Sequence, residues 1–221
     1  MERMRYRYGL LLPMLLLVSL SWGCSGTKTI TVEVPPRFDL RVYNTIGVLD
    51  VEVSNRSAPL QRDATRKLIA ALQNAQPGVR LLELGSERQI LARMGKSRID
   101  AVAVKAICQE NGVDALITSQ MEISPVNPSI KLGDALTSLS AKATINASMT
   151  AKLYEMPSGA SLWSDVVSGK WTIAGFNLTE TALSNVRIDD LNEKYSKLVS
   201  DLIHAITKSF RPTYRQERVA G

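Results

Sequence analysis

The sequence predicts an α/β (α+β) domain: a mixed sheet with a long antiparallel hairpin and helices packed on it. Three observations carry this. The run Ile46-Gly47-Val48-Leu49-Asp50-Val51 is apolar and β-branched, as expected of a central strand buried on both faces. From Leu139 to Tyr154 apolar and polar residues alternate without exception, the period of a half-buried antiparallel strand about 50 Å long. Ile188, Leu191, Tyr195, Leu198, Val199, Leu202 and Ile206 recur at spacings of three and four, one apolar stripe of a helix.

The other elements follow in order. Ser25 to Arg37 is polar and ends in Pro35-Pro36, an extended tether whose ~12 residues reach about 40 Å. Leu60, Ala64, Leu68, Ala71, Leu72 and Ala75 share one face of a helix over 58–74, stopped by Pro77-Gly78. Val79 to Leu84 is a short strand, and Ser86 with Gln89 resembles a capping box that opens a helix through Met94. A helix over 100–111 ends at Gly112, a natural left-handed stop. Val113 to Ile123 is a strand, whereas Ser124 to Thr137, with Pro125, Pro128 and Gly133, reads as a loop. Pro157-Ser158-Gly159 turns the long strand back, and Ala160 to Ile173 returns as its hairpin partner. Asp189 and Asp190 suit the N-terminus of the last helix.

The chain has 221 residues, 45% of them hydrophobic and 22% charged, which excludes a fibrous or wholly disordered protein. Beyond a leader, that length suits one domain with its own core. The predicted organisation is a signal peptide over 1–23, a lipidated tether over 24–37, a single α/β domain over 38–210 and a basic flexible tail over 211–221. In the tail Arg211, Arg215 and Arg218 stand against Glu217, a small excess that suits an anionic membrane or glycan. Nucleic acid is not an expected partner, because the basic residues are scattered and export separates the protein from it.

The leader has a positive start, Arg3, Arg5 and Arg7, and an apolar run, Leu10 to Leu20, too short to span a bilayer comfortably. It ends Leu20-Ser21-Trp22-Gly23-Cys24, which resembles a lipobox with Ser21 where an apolar residue is usual. Acylation of Cys24, palmitate included, anchors the protein to the membrane without threading it through. Ser21 and Gly23 also fit ordinary signal peptidase, which releases a soluble protein. Ser25 is not the Asp that retains enteric-type lipoproteins in the inner membrane, so the expected location is the periplasmic side of the outer membrane. Cys108, the other cysteine, is expected as a buried inert thiol.

Ile46-Gly47-Val48-Leu49-Asp50, Gly112-Val113-Asp114-Ala115-Leu116-Ile117, Ser158-Gly159-Ala160-Ser161-Leu162-Trp163-Ser164 and the lipobox-like leader carry a family resemblance. With the order of elements, they resemble the anticodon-binding-domain-like α/β domain of envelope lipoproteins of the curli-secretion-channel type. Related domains stand at the N-terminus of TolB, in a lipoprotein of Pel polysaccharide export and in an outer-membrane activator of penicillin-binding proteins. The resemblance implies a non-catalytic scaffold or accessory lipoprotein, often ring-forming. Its implied partners are envelope proteins, polysaccharide-export machinery or further copies of itself. The channel itself fits least, since 124–137 and 172–187 do not alternate cleanly as barrel strands must.

The residues supply no strong catalytic motif. His204 is the single histidine, with Asp201 three residues before it, and no nucleophile elbow accompanies it. One histidine and one unacylated cysteine cannot build an ordinary zinc site, so no metal or other cofactor is expected. Asp50 and Glu52, two apart on a strand, can share a face as an acid/base pair, although a solvated strand end is the plainer reading. Trp163 is expected in the core, and Trp171, near the hairpin's open end, is a candidate interface anchor. The expected alternative to a scaffold is a periplasmic module that binds glycan or peptide in a groove beside 124–137.

Overall fold

The computed structural model describes residues 27–54, 58–132, 138–179 and 191–220. The leader and Cys24 lie outside them, as do Ile188, Asp189 and Asp190. The chain divides into two units, one of which joins the two ends of the sequence and the other of which spans Pro36–Pro212.

In the first unit β1 (Thr27–Val34) pairs antiparallel with β9 (Thr213–Ala220), from Thr27 opposite Ala220 to Val34 opposite Thr213. Where the sequence predicts a tether and a flexible tail, the structure therefore holds a two-stranded ribbon. The sequence reading missed it because the two partners stand at opposite ends of the chain: Thr29 to Val34 alternates as a strand does, but Thr213 to Ala220 does not, so no local signal named a partner.

The second unit is α/β, with a mixed seven-stranded sheet. Its elements are β2 (Ile46–Leu49), β3 (Glu52–Val53), α1 (Ala58–Ala75), β4 (Leu81–Gly85), α2 (Glu87–Arg93), α3 (Ala101–Asn111), β5 (Ala115–Ile123), β6 (Asn127–Leu132), β7 (Ser138–Glu155), β8 (Ser161–Thr179) and α4 (Leu191–Ile206). The strand order is β4-β2-β5-β7-β6, with β3 pairing β5 and β8 pairing β7. β2 runs parallel to both its neighbours, β4 and β5, and all four of its residues are buried. It ends earlier than the apolar run does: the Val51 amide donates to the Thr65 hydroxyl at 2.9 Å, which takes that residue out of the ladder.

Alternation sorts the sheet into two faces. On one, Ile46, Val48, Ile117, Met121, Ile145, Met149 and Leu153 pack with Leu68 and Leu72 of α1 and Leu198, Leu202 and Ile206 of α4. On the other, Leu49 and Leu116 pack with Ile90 of α2 and Val104, Ile107 and Cys108 of α3. α3 ends as predicted, with Gly112 at φ 63° as the left-handed stop, and it begins one residue later than expected because Asp100 caps it, accepting from the Ala103 amide at 2.7 Å. Ser86 stands at the N-cap of α2 as expected, but its side chain makes no capping bond. In the hairpin turn Gly159 has φ 71°, and a Cβ there would lie 2.6 Å from the Ala101 carbonyl oxygen, so glycine is needed twice over.

Two expectations about the sheet are corrected. Within 124–137, read as a loop, Asn127–Leu132 is β6, paired antiparallel with β7. Pro125 and Pro128 read as breakers, yet β6 pairs with β7 alone, and proline is tolerated where one side of the strand needs no ladder. The hairpin return also runs past Ile173 to Thr179. Its register shifts between Ala143 and Thr144 break the alternation that would have revealed it.

Candidate functional site

His204 and Asp201 occupy one helix, and the structure sends them to different partners. The Asp201 carboxylate accepts from Trp171 Nε1 at 3.1 Å. The His204 ring faces the Arg211 guanidinium at 2.9 Å. Trp171 is thus half-buried against the main core and bonded to α4, with its ring laid over Gly169; a Cβ on Gly169 would come within 2.4 Å of it. Trp163 is buried, in edge contact with Phe38 at 6.5 Å and tilted against Phe210 at 4.7 Å. Among the described residues no three His, Cys, Asp or Glu side chains group as metal ligands.

Glu52 is brought not to Asp50 but to Glu87, in the first turn of α2. The two carboxylates share a recess of about 240 Å³ with Thr118, Gln120, Lys152 and Tyr154. Burial raises the Glu87 carboxyl above its ordinary pKa, the Glu52 charge adds to this, and Lys152 opposes it. Sequence spacing could not show the pair, since Glu87 serves locally only as an acidic first-turn residue. Cys108 is fully buried and free, and burial beside Asp114 pushes its thiol up to about 11.

Two larger clefts mark the second unit. One, of about 700 Å³, is lined by Ser54, Ser124, Pro125, Asn146, Ser148 and Ser168, beside the segment expected to border a groove. The other, of about 660 Å³, lies between α1 and α4. These helices run in the same direction: Lys67 Nζ donates to the Ser196 carbonyl at 2.8 Å, and later residues of both line the cleft. Its floor is Ala71, Ala75 and Ile203, with Ala70 exposed beside them, and α1 carries alanine where the helices approach. Its rim holds Lys67, Asn74, Ser200 and Arg211.

Arg211 is the electrostatic centre of this cleft. Its guanidinium donates to the His204 carbonyl and, at 2.7 Å, to the Thr207 hydroxyl. None of its hydrogen-bond partners among the described residues is an acid, and burial lowers its pKa. By contrast Lys67 is matched by Asp63 at 2.9 Å. Sequence reasoning placed Arg211 in a loose tail, and its position beside α4 follows only from the turn Thr207–Phe210 that reverses it onto the helix end.

No family model and no curated protein matches the chain. Solved structures with similarity include a PelC dodecamer from Paraburkholderia phytofirmans, at 11% identity and TM-score 0.41, covering 84% of this chain and 98% of that one. A putative neuraminyllactose-binding hemagglutinin homolog from Helicobacter pylori aligns at 12% identity and TM-score 0.46, over 81% and 89%. Lipoprotein GNA1162 from Neisseria meningitidis aligns at 18% identity and TM-score 0.38, over 74% and 97%. At these scores and identities nothing about ligand, partner or assembly passes from them to this chain.

Proposed function

We propose that the chain is an exported, non-catalytic lipoprotein, anchored at the outer membrane through Cys24, that works as a scaffold or accessory factor in an envelope assembly or export system. The observation that carries the docking role is the face between α1 and α4, where an apolar floor meets a rim cation, Arg211, that has no acidic partner among the described residues. Such a surface holds a macromolecule and contains no nucleophile paired with a base. His204 and Asp201, the pair considered from the sequence as part of a nucleophile arrangement, bond to Arg211 and Trp171 and not to each other. The leader ending at Gly23-Cys24 supports the anchor, and two or more acyl chains give durable attachment. Among the described residues no helix is long and apolar enough to cross a membrane.

Palmitate labelling and membrane fractionation test the anchor: the natural chain should label and sediment with membranes, and Cys24→Ala should do neither. An unlabelled, soluble natural chain would instead support release by ordinary signal peptidase. Photo-crosslinking from position 74 in intact envelopes tests docking, with a discrete protein adduct expected and no adduct counting against it.

A second reading, a glycan- or peptide-binding module, is favoured by the serine- and asparagine-lined cleft beside Ser124. It predicts that Asn146→Trp, which fills that cleft, abolishes binding in a glycan and peptide array while position 74 stays silent.

A further inference from the structure

The α1–α4 cleft has a shape and a charge, and together they specify an occupant. From Lys67 to Ala75 the α1 wall rises about 12 Å, or two helical turns. That length accepts side chains spaced i, i+3 or i+4, and i+7 on a docking helix. The alanine floor leaves room for larger aliphatic side chains to seat between the walls. The positive excess on this layer lies on α1, where Arg62, Arg66 and Lys67 stand against Asp63, whereas α4 carries Glu193 and Asp201 against Lys194 and Lys197. Arg62, Arg66, Lys197 and Lys208 are exposed on or just beyond the two helices. Asp63 is paired with Arg66 and Lys67, and Asp201 accepts from the neutral Trp171 indole and keeps its charge. Among the described residues the half-buried Arg211 guanidinium has no acidic partner, so a carboxylate arriving at the rim meets a cation already partly stripped of water.

We infer that this cleft docks an amphipathic α-helix of a partner protein, its apolar stripe flanked by Asp and Glu. The inference rests on the docking role proposed above and deepens it by naming the partner's chemistry. A bilayer is a poorer fit, because membrane association needs large apolar groups that project, and here the apolar lining that the helices expose is alanine while Ile203 is buried. A small anion leaves the alanine floor unused.

The test uses the full lipidated chain in detergent and a labelled peptide of ~18 residues, five turns, with Leu at helical spacing and Glu elsewhere. The comparison probes are a scramble of the same composition, a version with Lys for Glu, and vesicles containing phosphatidylglycerol. Saturable binding of the patterned acidic peptide alone is expected, weakening about tenfold as ionic strength rises to physiological. Asn74→Trp, which fills the cleft from an exposed position, and Ser200→Glu should each weaken it about tenfold or more. Gln73→Trp, exposed on α1 but off the cleft, should leave it unchanged. Absence of saturable binding, equal binding of the scramble, indifference to Asn74→Trp, or vesicle binding that Asn74→Trp blocks would each overturn the inference. A protein adduct from position 74 combined with any of these keeps docking and removes the acidic helix; no adduct removes docking itself.

Discussion

Gln76 donates from Nε2 to the Phe210 carbonyl oxygen at 3.0 Å, across 134 residues of sequence. The same nitrogen donates to the Phe38 carbonyl at 2.5 Å, and Oε1 accepts the Leu40 amide at 2.6 Å. One buried carboxamide thus ties both ends of the domain to the end of α1. Only one orientation of the amide meets all three partners. Gln76→Leu should therefore destabilise by about 2 to 5 kcal/mol, since it leaves an N–H and two carbonyls without partners in the interior. Gln73→Leu, exposed on the same helix, should stay within about 0.5 kcal/mol. Chemical denaturation of both variants decides, and a small loss for Gln76→Leu would mean water replaces the amide.

The α4 seam makes the second prediction. Leu202 is 2% exposed within the main core and Lys197 is exposed on the same helix. Leu202→Ala should cost about 2 to 5 kcal/mol and Lys197→Ala almost nothing. Equal effects in a urea titration would show that α4 does not dock by the Leu198–Leu202–Ile206 stripe.

Glu87 should make stability depend on pH in an unusual direction for a carboxylate. Its folded-state pKa lies above the ordinary value, so the folded form holds its proton more tightly than the unfolded chain does. Its contribution is most favourable below the ordinary glutamate pKa and is lost as pH rises through the raised value. Glu87→Gln should thus unfold at higher urea concentration than the natural chain at pH 7. The difference should vanish toward pH 4. A gap that is constant with pH would show packing, not charge, at work.

Gly169 lies under the Trp171 ring, so Gly169→Ala should force the indole aside and break its bond to Asp201. A destabilisation of about 1 to 3 kcal/mol is expected, with a red shift in tryptophan emission as the ring gains water. Unchanged emission would place Trp171 elsewhere than over the glycine.

Cys108 should resist thiol reagents at pH 8 in the native protein and react fully once denatured, because its pKa is pushed up to about 11 and its side chain is buried. Rapid native labelling would show that α3 opens readily from the sheet.

Local pattern by itself determined most of the architecture. The period-2 run over 139–154 carries Ile145, Ala147, Met149, Ala151 and Leu153, all buried as their spacing requires. The helical stripes of α1 and α4 and the Gly112 stop were equally legible, because each depends on residues a few places apart. The tertiary structure alone decided the rest. β6 exists because β7 offers it a ladder, which overrides the breaker signal of Pro128. Glu52 meets Glu87 and not Asp50, β1 meets β9, and Arg211 folds back onto α4 instead of trailing in a tail. Each of these joins groups far apart in sequence or reversed by a turn, and no local period names the partner, even where, as in Thr29 to Val34, the strand itself alternates: a side chain has the same local propensity whichever distant partner satisfies it.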